Sequence, residues 1–143
     1  MRKDDQRAWL AQVPEPAVDP DQPVVDAHHH LWRSVPGGML PPYLLEDLRE
    51  DTGAGHAIVQ TVFVECGAGY RSDGPGHLRC VGETEFVAGL ARASRDGAGA
   101  EIAGIVAHCD LTGDPGRVRE TLTEHEAAGE GLFRGIRQGG AHD

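Results

Sequence analysis

The segment Ala57-Ile58-Val59-Gln60-Thr61-Val62-Phe63-Val64-Glu65 constrains the fold more than any other stretch of this chain. It is rich in β-branched residues and almost continuously apolar, without the alternation that marks a strand with one wet face. Such a run reads as a strand of a parallel sheet covered on both sides. Three more strand signals lie at residues 23–28, 102–108 and 132–138. Helical patterns separate them. Residues 41–51 open with proline and place Tyr43, Leu44, Leu45 and Leu48 at helical spacing; residues 82–94 carry Phe86, Val87 and Leu90 on an inner face; residues 114–128 open on Asp114-Pro115, with Val118 and Leu122 facing in. The order β-α-β-α-β-α-β implies an α/β fold whose parallel strands are joined by right-handed crossovers. Residues 1–22, with Pro14, Pro16 and Pro20, read as a lead-in. It has a short helical or irregular start near Ala8-Trp9-Leu10, with Trp9 against the outside of the domain, and then an extended stretch.

Composition narrows the class. A chain of 143 residues with 39% hydrophobic and 25% charged content suits one globular domain. Its net charge of −10 argues against a nucleic-acid partner, which demands a basic face, and against an anionic membrane surface. Cys66, Cys80 and Cys109 are odd in number and widely spaced, which reads as free thiols in a reducing cytoplasm. The charged N-terminus has no apolar signal-peptide core behind it, and no run reaches membrane-spanning length.

In folds built this way the functional groups gather at the carboxyl ends of the strands. Those ends carry His28 and His30, then Glu65-Cys66, then His108-Cys109-Asp110, then Arg137-Gln138. The sharpest signal is Asp26-Ala27-His28-His29-His30-Leu31-Trp32. On an extended strand His28 and His30 project together, as half of a metal site or of a polar substrate pocket, and His29 points the other way. Asp26 either orients an imidazole or bonds backbone. Glu65 is a site carboxylate or a solvated loop acid. His108 is a mouth residue or a satisfied core histidine. Cys66 suits a small buried hydrophobe better than a nucleophile. Trp32 and Tyr43 read as packing residues, and the charges of residues 117–130 as a solvated helix face. The long loop 67–76, with Tyr70, Arg71 and Asp73, is a candidate lid. No Gly-x-Gly-x-x-Gly follows the first strand and no Walker loop is present, which favours a barrel with hydrolytic or proton-transfer chemistry over nucleotide binding.

The Asp26–Trp32 motif resembles the first-strand motif of the amidohydrolase superfamily, and within it the amidohydrolase-related, lactonase-like group. Tyr43-Leu44-Leu45-Glu46-Asp47-Leu48, Val62-Phe63-Val64-Glu65-Cys66, Val81-Gly82-Glu83-Thr84-Glu85-Phe86 and Phe133-Arg134-Gly135-Ile136-Arg137 are similar to that group as well. The resemblance implies a (β/α)8 TIM-type barrel that hydrolyses a lactone, amide or related carbonyl compound at its carboxyl-end mouth. It implies that His28 and His30 are catalytic, holding one divalent ion (zinc or manganese) in many members and contacting substrate where no metal is present. It gives Arg137, and less directly Arg134, to a small, anionic substrate, with Glu65 and His108 as neighbours.

The barrel of that family has eight βα units, and this sequence supplies three and a half. The expectation is therefore a partial barrel, about the first four parallel strands and three helices, with residues 23–143 as the N-terminal half of a longer enzyme, inactive by itself. His125, in a helix, and His142, in the Gly-rich tail, do not replace the missing later ligands. Open sheet edges and an uncovered apolar inner face are expected, and a homo-oligomer stays open. Two alternatives stand beside hydrolysis: a non-oxidative decarboxylase of the same superfamily, and a non-catalytic half-barrel that binds a metal or a partner.

Overall fold

All four apolar runs form strands in the computed structural model, which describes residues 3–34, 38 and 40–140. They are β1 (Pro23–His29), β2 (Ala57–Val64), β3 (Glu101–His108) and β4 (Phe133–Arg137). Every neighbouring pair is parallel, and the spatial order β1-β2-β3-β4 follows the chain. Between the strands run α2 (Leu45–Thr52), α3 (Val81–Arg95) and α4 (Pro115–Ala128); α1 (Lys3–Leu10) precedes the sheet. The protein is thus an α/β unit with a four-stranded parallel sheet. Among the described residues no helix is long and apolar enough to cross a membrane.

The core lies between the sheet and its helices. Phe63 of β2, Ile102 and Ile105 of β3, Val87 and Ala91 of α3, and Leu31 just past β1 are inaccessible to solvent, with Leu45 and Leu48 of α2 beside them. Phe86 and Leu90 cover its edge, as their helical spacing requires. Gly82 permits the close approach of α3: a Cβ there would sit 2.6 Å from both the Arg71 nitrogen and the Gly69 oxygen.

Four expectations are corrected. First, α2 begins at Leu45 rather than residue 41. Pro41 and Pro42 lack N–H groups, and Tyr43 instead exchanges two backbone hydrogen bonds of 2.9 Å with Trp32, their rings stacked 5.4 Å apart. The Asp47 carboxylate takes the Leu44 N–H at 3.0 Å and starts the helix there. Second, β2 is not covered along its whole length. Val59 is 47% exposed and Val25 of β1 is 52% exposed. Third, the centre of the α4 contact is polar: Thr121 and His125 are buried, and Val118 and Leu122 only half so. His125 Nε2 donates to the His108 carbonyl at 2.9 Å, Nδ1 accepts from Thr84 Oγ1 at 2.8 Å, and the ring stacks on Phe133. Burial lowers its pKa, which suits this neutral ring with one donor and one acceptor. Fourth, Trp9 does not pack on the domain. It is 64% exposed, and Leu10, Val13 and Val18 of the same lead-in are exposed with it. The turn expected at Pro36-Gly37-Gly38 and the tail at His142 lie outside the described residues, apart from Gly38.

The Asp114-Pro115 start of α4 forms as read. The Asp114 carboxylate accepts from Gly116 N at 2.9 Å and Arg117 N at 3.1 Å, with proline in the first turn. Asp114→Ala is expected to cost about 1 kcal/mol in a urea unfolding curve, with Asp114→Asn retaining most of it.

Candidate functional site

The parallel sheet delivers the ends of β1, β2 and β4 to one rim, and the local course of β1 decides which histidines reach it. The β1–β2 register is irregular between Asp26 and His29. Asp26 Oδ1 accepts the backbone N–H of His28 at 3.0 Å, so the carboxylate serves the backbone and not an imidazole. Beyond this kink His29 turns into the helix side, 7% exposed, with its ring edge-on to Phe63 at 5.9 Å. His28 and His30 stay together on the other side, as alternation requires.

Four expected site residues meet there. The Nε2 atoms of His28 and His30 are 3.2 Å apart, their rings perpendicular. His30 Nδ1 donates to the Val64 carbonyl at 2.7 Å. A carbonyl oxygen only accepts, so neutral His30 keeps its hydrogen on Nδ1 and turns the Nε2 lone pair toward His28. Arg137, at the end of β4, lies across the mouth: its Nε donates to Glu65 Oε1 at 2.9 Å and its Nη2 to the Glu65 carbonyl at 2.7 Å. Its Nη1 is 3.5 Å from His28 Nε2. Glu65 is itself fixed by its N–H to the Val106 carbonyl at 2.8 Å. The Glu65 side chain is 15% exposed and that of Arg137 41%, so the guanidinium is held from behind and open in front.

The other expected site residues stand apart. Arg134 does not reach the cluster: its guanidinium binds the carbonyls of Gly131, Phe133 and Ala103, near the opposite end of β4. His108 is on the rim, in register with Arg137, but its imidazole makes no hydrogen bond among the described residues. Burial and the neighbouring Glu83 carboxylate push the Cys66 thiol up to about 12, which disfavours the thiolate a nucleophile needs. The loop 67–76 is fastened rather than lid-like. Arg71 is paired with Glu85 and lies 3.9 Å from Glu124, Arg71 N bonds the Arg79 carbonyl, and His77, in the 3-10 turn Gly76–Leu78, meets Glu120 of α4 at 2.7 Å. Glu120 and Glu124 therefore do more than solvate α4. On the far side of the mouth, the Asp110 carboxylate takes Thr112 and Gln138 Nε2, tying the β3–α4 loop to the end of β4.

Two features escaped the sequence reading. Glu83 of α3 is a carboxylate only 2% exposed. Its legible signals were its place in the segment Val81-Gly82-Glu83-Thr84-Glu85-Phe86 and on the helix face that also carries Val87. His29 has both ring nitrogens buried without partners, and burial pulls its pKa down to about 4. With Asp26, Tyr43, Asp51 and His56 it borders a cavity of about 370 Å³ between β1 and α2.

The donor set bears directly on whether these residues hold a metal ion. Two Nε2 atoms 3.2 Å apart are spaced as on one tetrahedral ion, whose ligands stand roughly 3.3 Å apart. A catalytic centre needs about three protein ligands, however, and among the described residues no group of three or more His, Cys, Asp or Glu could hold an ion. The third neighbour of the pair is the positive Arg137, while the nearest acid, Glu65, is engaged by that arginine. The described residues by themselves do not complete a divalent-ion site, and with Arg137 beside the pair they suit a negatively charged or carbonyl oxygen. No family model, curated protein or solved structure matches the chain.

Proposed function

We propose that the chain carries the opening strands of an amidohydrolase-type (β/α)8 barrel and, at their ends, the anion-binding side of a hydrolase site for a lactone, amide or related carbonyl compound bearing a carboxylate. The observation that carries this reading is the convergence of His28, His30, Glu65 and Arg137 from three strand ends at hydrogen-bond distances. Glu65 aims the guanidinium, and the N–H groups it leaves free face the mouth, where they suit a carboxylate or the oxyanion of a tetrahedral intermediate. The Nε2 lone pair of His30, on turning from His28 to an attacking water, can take the water's proton to give an imidazolium, and that imidazolium can give the proton to the departing oxygen, the role of a general base and then acid. No step requires a metal.

Calorimetric titration of the 143-residue chain with a γ-butyrolactone carboxylate, in chelator, tests the reading. Binding of the carboxylate and no binding of unsubstituted γ-butyrolactone are expected, with the His28→Ala/His30→Ala double variant weakened about tenfold or more. Equal binding of the two lactones, or carboxylate binding that appears only on adding zinc, would sink it.

A further inference from the structure

The buried carboxylate behind the rim has a structural surrounding that assigns it a task. Glu83 Oε1 accepts from Ala68 N at 2.7 Å and from Cys66 N at 3.1 Å. The Cys66 thiol lies 3.5 Å from the same oxygen and 3.6 Å from the Leu31 carbonyl. Cys66 directly follows Glu65, and Leu31 directly follows His30. One oxygen on α3 thus gathers the backbone that continues β2 past the site, and the Cys66 thiol beside it reaches the carbonyl that follows His30. Gly67 and Gly69 in that loop take positive φ angles of 76° and 70°, conformations that other residues adopt only with strain. A chain of such residues does not hold its course unaided. The two N–H groups it turns inward have Glu83 as their acceptor.

We infer that Glu83 is a positioning residue for the mouth: by holding the Cys66–Ala68 backbone, whose Cys66 thiol reaches the Leu31 carbonyl, it fixes the spacing of His30 and Glu65, and through Glu65 the aim of Arg137. The inference rests on the proposed binding role of that cluster. Glu83 touches neither substrate nor a reacting atom, and its effect travels through one backbone segment. It differs from an ordinary buried acid in that its partners are the residues adjacent to the site and not a distant ion pair.

The test uses Glu83→Ala, Glu83→Asp and Glu83→Gln in the same chain, with Asp114→Ala as a variant destabilised elsewhere. Glutamine keeps an acceptor oxygen at the same reach, whereas aspartate keeps the charge but falls one methylene short. Two readouts are taken at a temperature where each variant is folded: long-range ¹H–¹⁵N spectra of the imidazoles, which report the His30 tautomer without any ligand, and the affinity for γ-butyrolactone carboxylate. Glu83→Ala and Glu83→Asp should lose the single Nδ1–H tautomer of His30 and bind about tenfold more weakly, while Glu83→Gln and Asp114→Ala stay within about threefold of wild type. If Glu83→Ala fails to fold, Glu83→Asp and Glu83→Gln still decide the matter. A wild-type His30 spectrum in Glu83→Asp, or a glutamine variant no better than aspartate, overturns the inference. Failure of the wild-type chain to bind the lactone would strike the proposed function instead, leaving the ligand-free spectra to judge Glu83.

Discussion

Arg137→Ala is expected to lower the affinity for γ-butyrolactone carboxylate by about 30- to 150-fold, the equivalent of two to three kcal/mol for charge-assisted hydrogen bonds lost. Among the described residues nothing nearby can take the arginine's place. Arg134 is held on backbone carbonyls at the far end of β4, and the imidazoles of His28 and His30 bond each other and Val64. Arg137→Lys should recover little. An ammonium cannot hold the Glu65 carboxylate and the Glu65 carbonyl while also presenting a fork to the ligand. The loss should shrink as salt is raised, because the guanidinium is partly exposed and its charge is screened. Titration calorimetry at two salt concentrations measures all three effects. Wild-type affinity in Arg137→Ala would remove the arginine from the site.

The largest effect on stability should come from His29 and appear on acidification. Its folded pKa of about 4 lies below the ordinary value of 6.5, burial being the main cause and the Asp26 carboxylate opposing it. Between those two values the unfolded chain binds the proton and the folded chain does not, so stability rises with pH across the window. The contribution is complete above about pH 6.5 and lost as pH falls through about 4, to a total of roughly 3 kcal/mol. His29→Leu should flatten this limb in urea unfolding at pH 7, 5.5 and 4.5. At pH 7 the substitution should cost little, since the ring nitrogens it removes have no partners. His125, also lowered by burial, adds a limb of the same sign that the variant keeps. Glu83, raised by burial, acts with the opposite sign: its stability is full below the usual carboxylate range and falls as pH rises above it. The decisive quantity is therefore the difference between wild type and variant, and superimposable acid limbs would exclude His29.

Much of this protein was legible without coordinates because its signals are periodic and local. Apolar β-branched runs separated by helical spacing define β1 to β4 and their parallel order, and an Asp-Pro pair marks the start of α4. Alternation along β1 put His28 and His30 together, and the rule of strand ends put Glu65 and Arg137 near them. The two arginines of Arg134-Gly135-Ile136-Arg137 differ by where the strand ends: only Arg137 stands at the carboxyl edge, and Arg134 reaches back to carbonyls at the other.

What remained hidden depended on partners distant in sequence. Asp26 could serve an imidazole or a backbone N–H, and the kink in β1 chose the backbone. Whether two histidines hold an ion depends on the third group beside them, and folding brought Arg137, 109 residues away in sequence, to that position. Glu83 stands in the sequence within a recognisable segment but without a stated task, and only the loop folded over it makes its carboxylate the acceptor for the backbone after Glu65. The sequence by itself determined the alternation, the parallel strands and the side chains that could meet at the rim, because burial periodicity and strand polarity are written residue by residue. The tertiary structure alone decided which of them meet, which stay neutral and which hold the others, because hydrogen bonding and desolvation act through contacts that separate parts of the chain make only once folded.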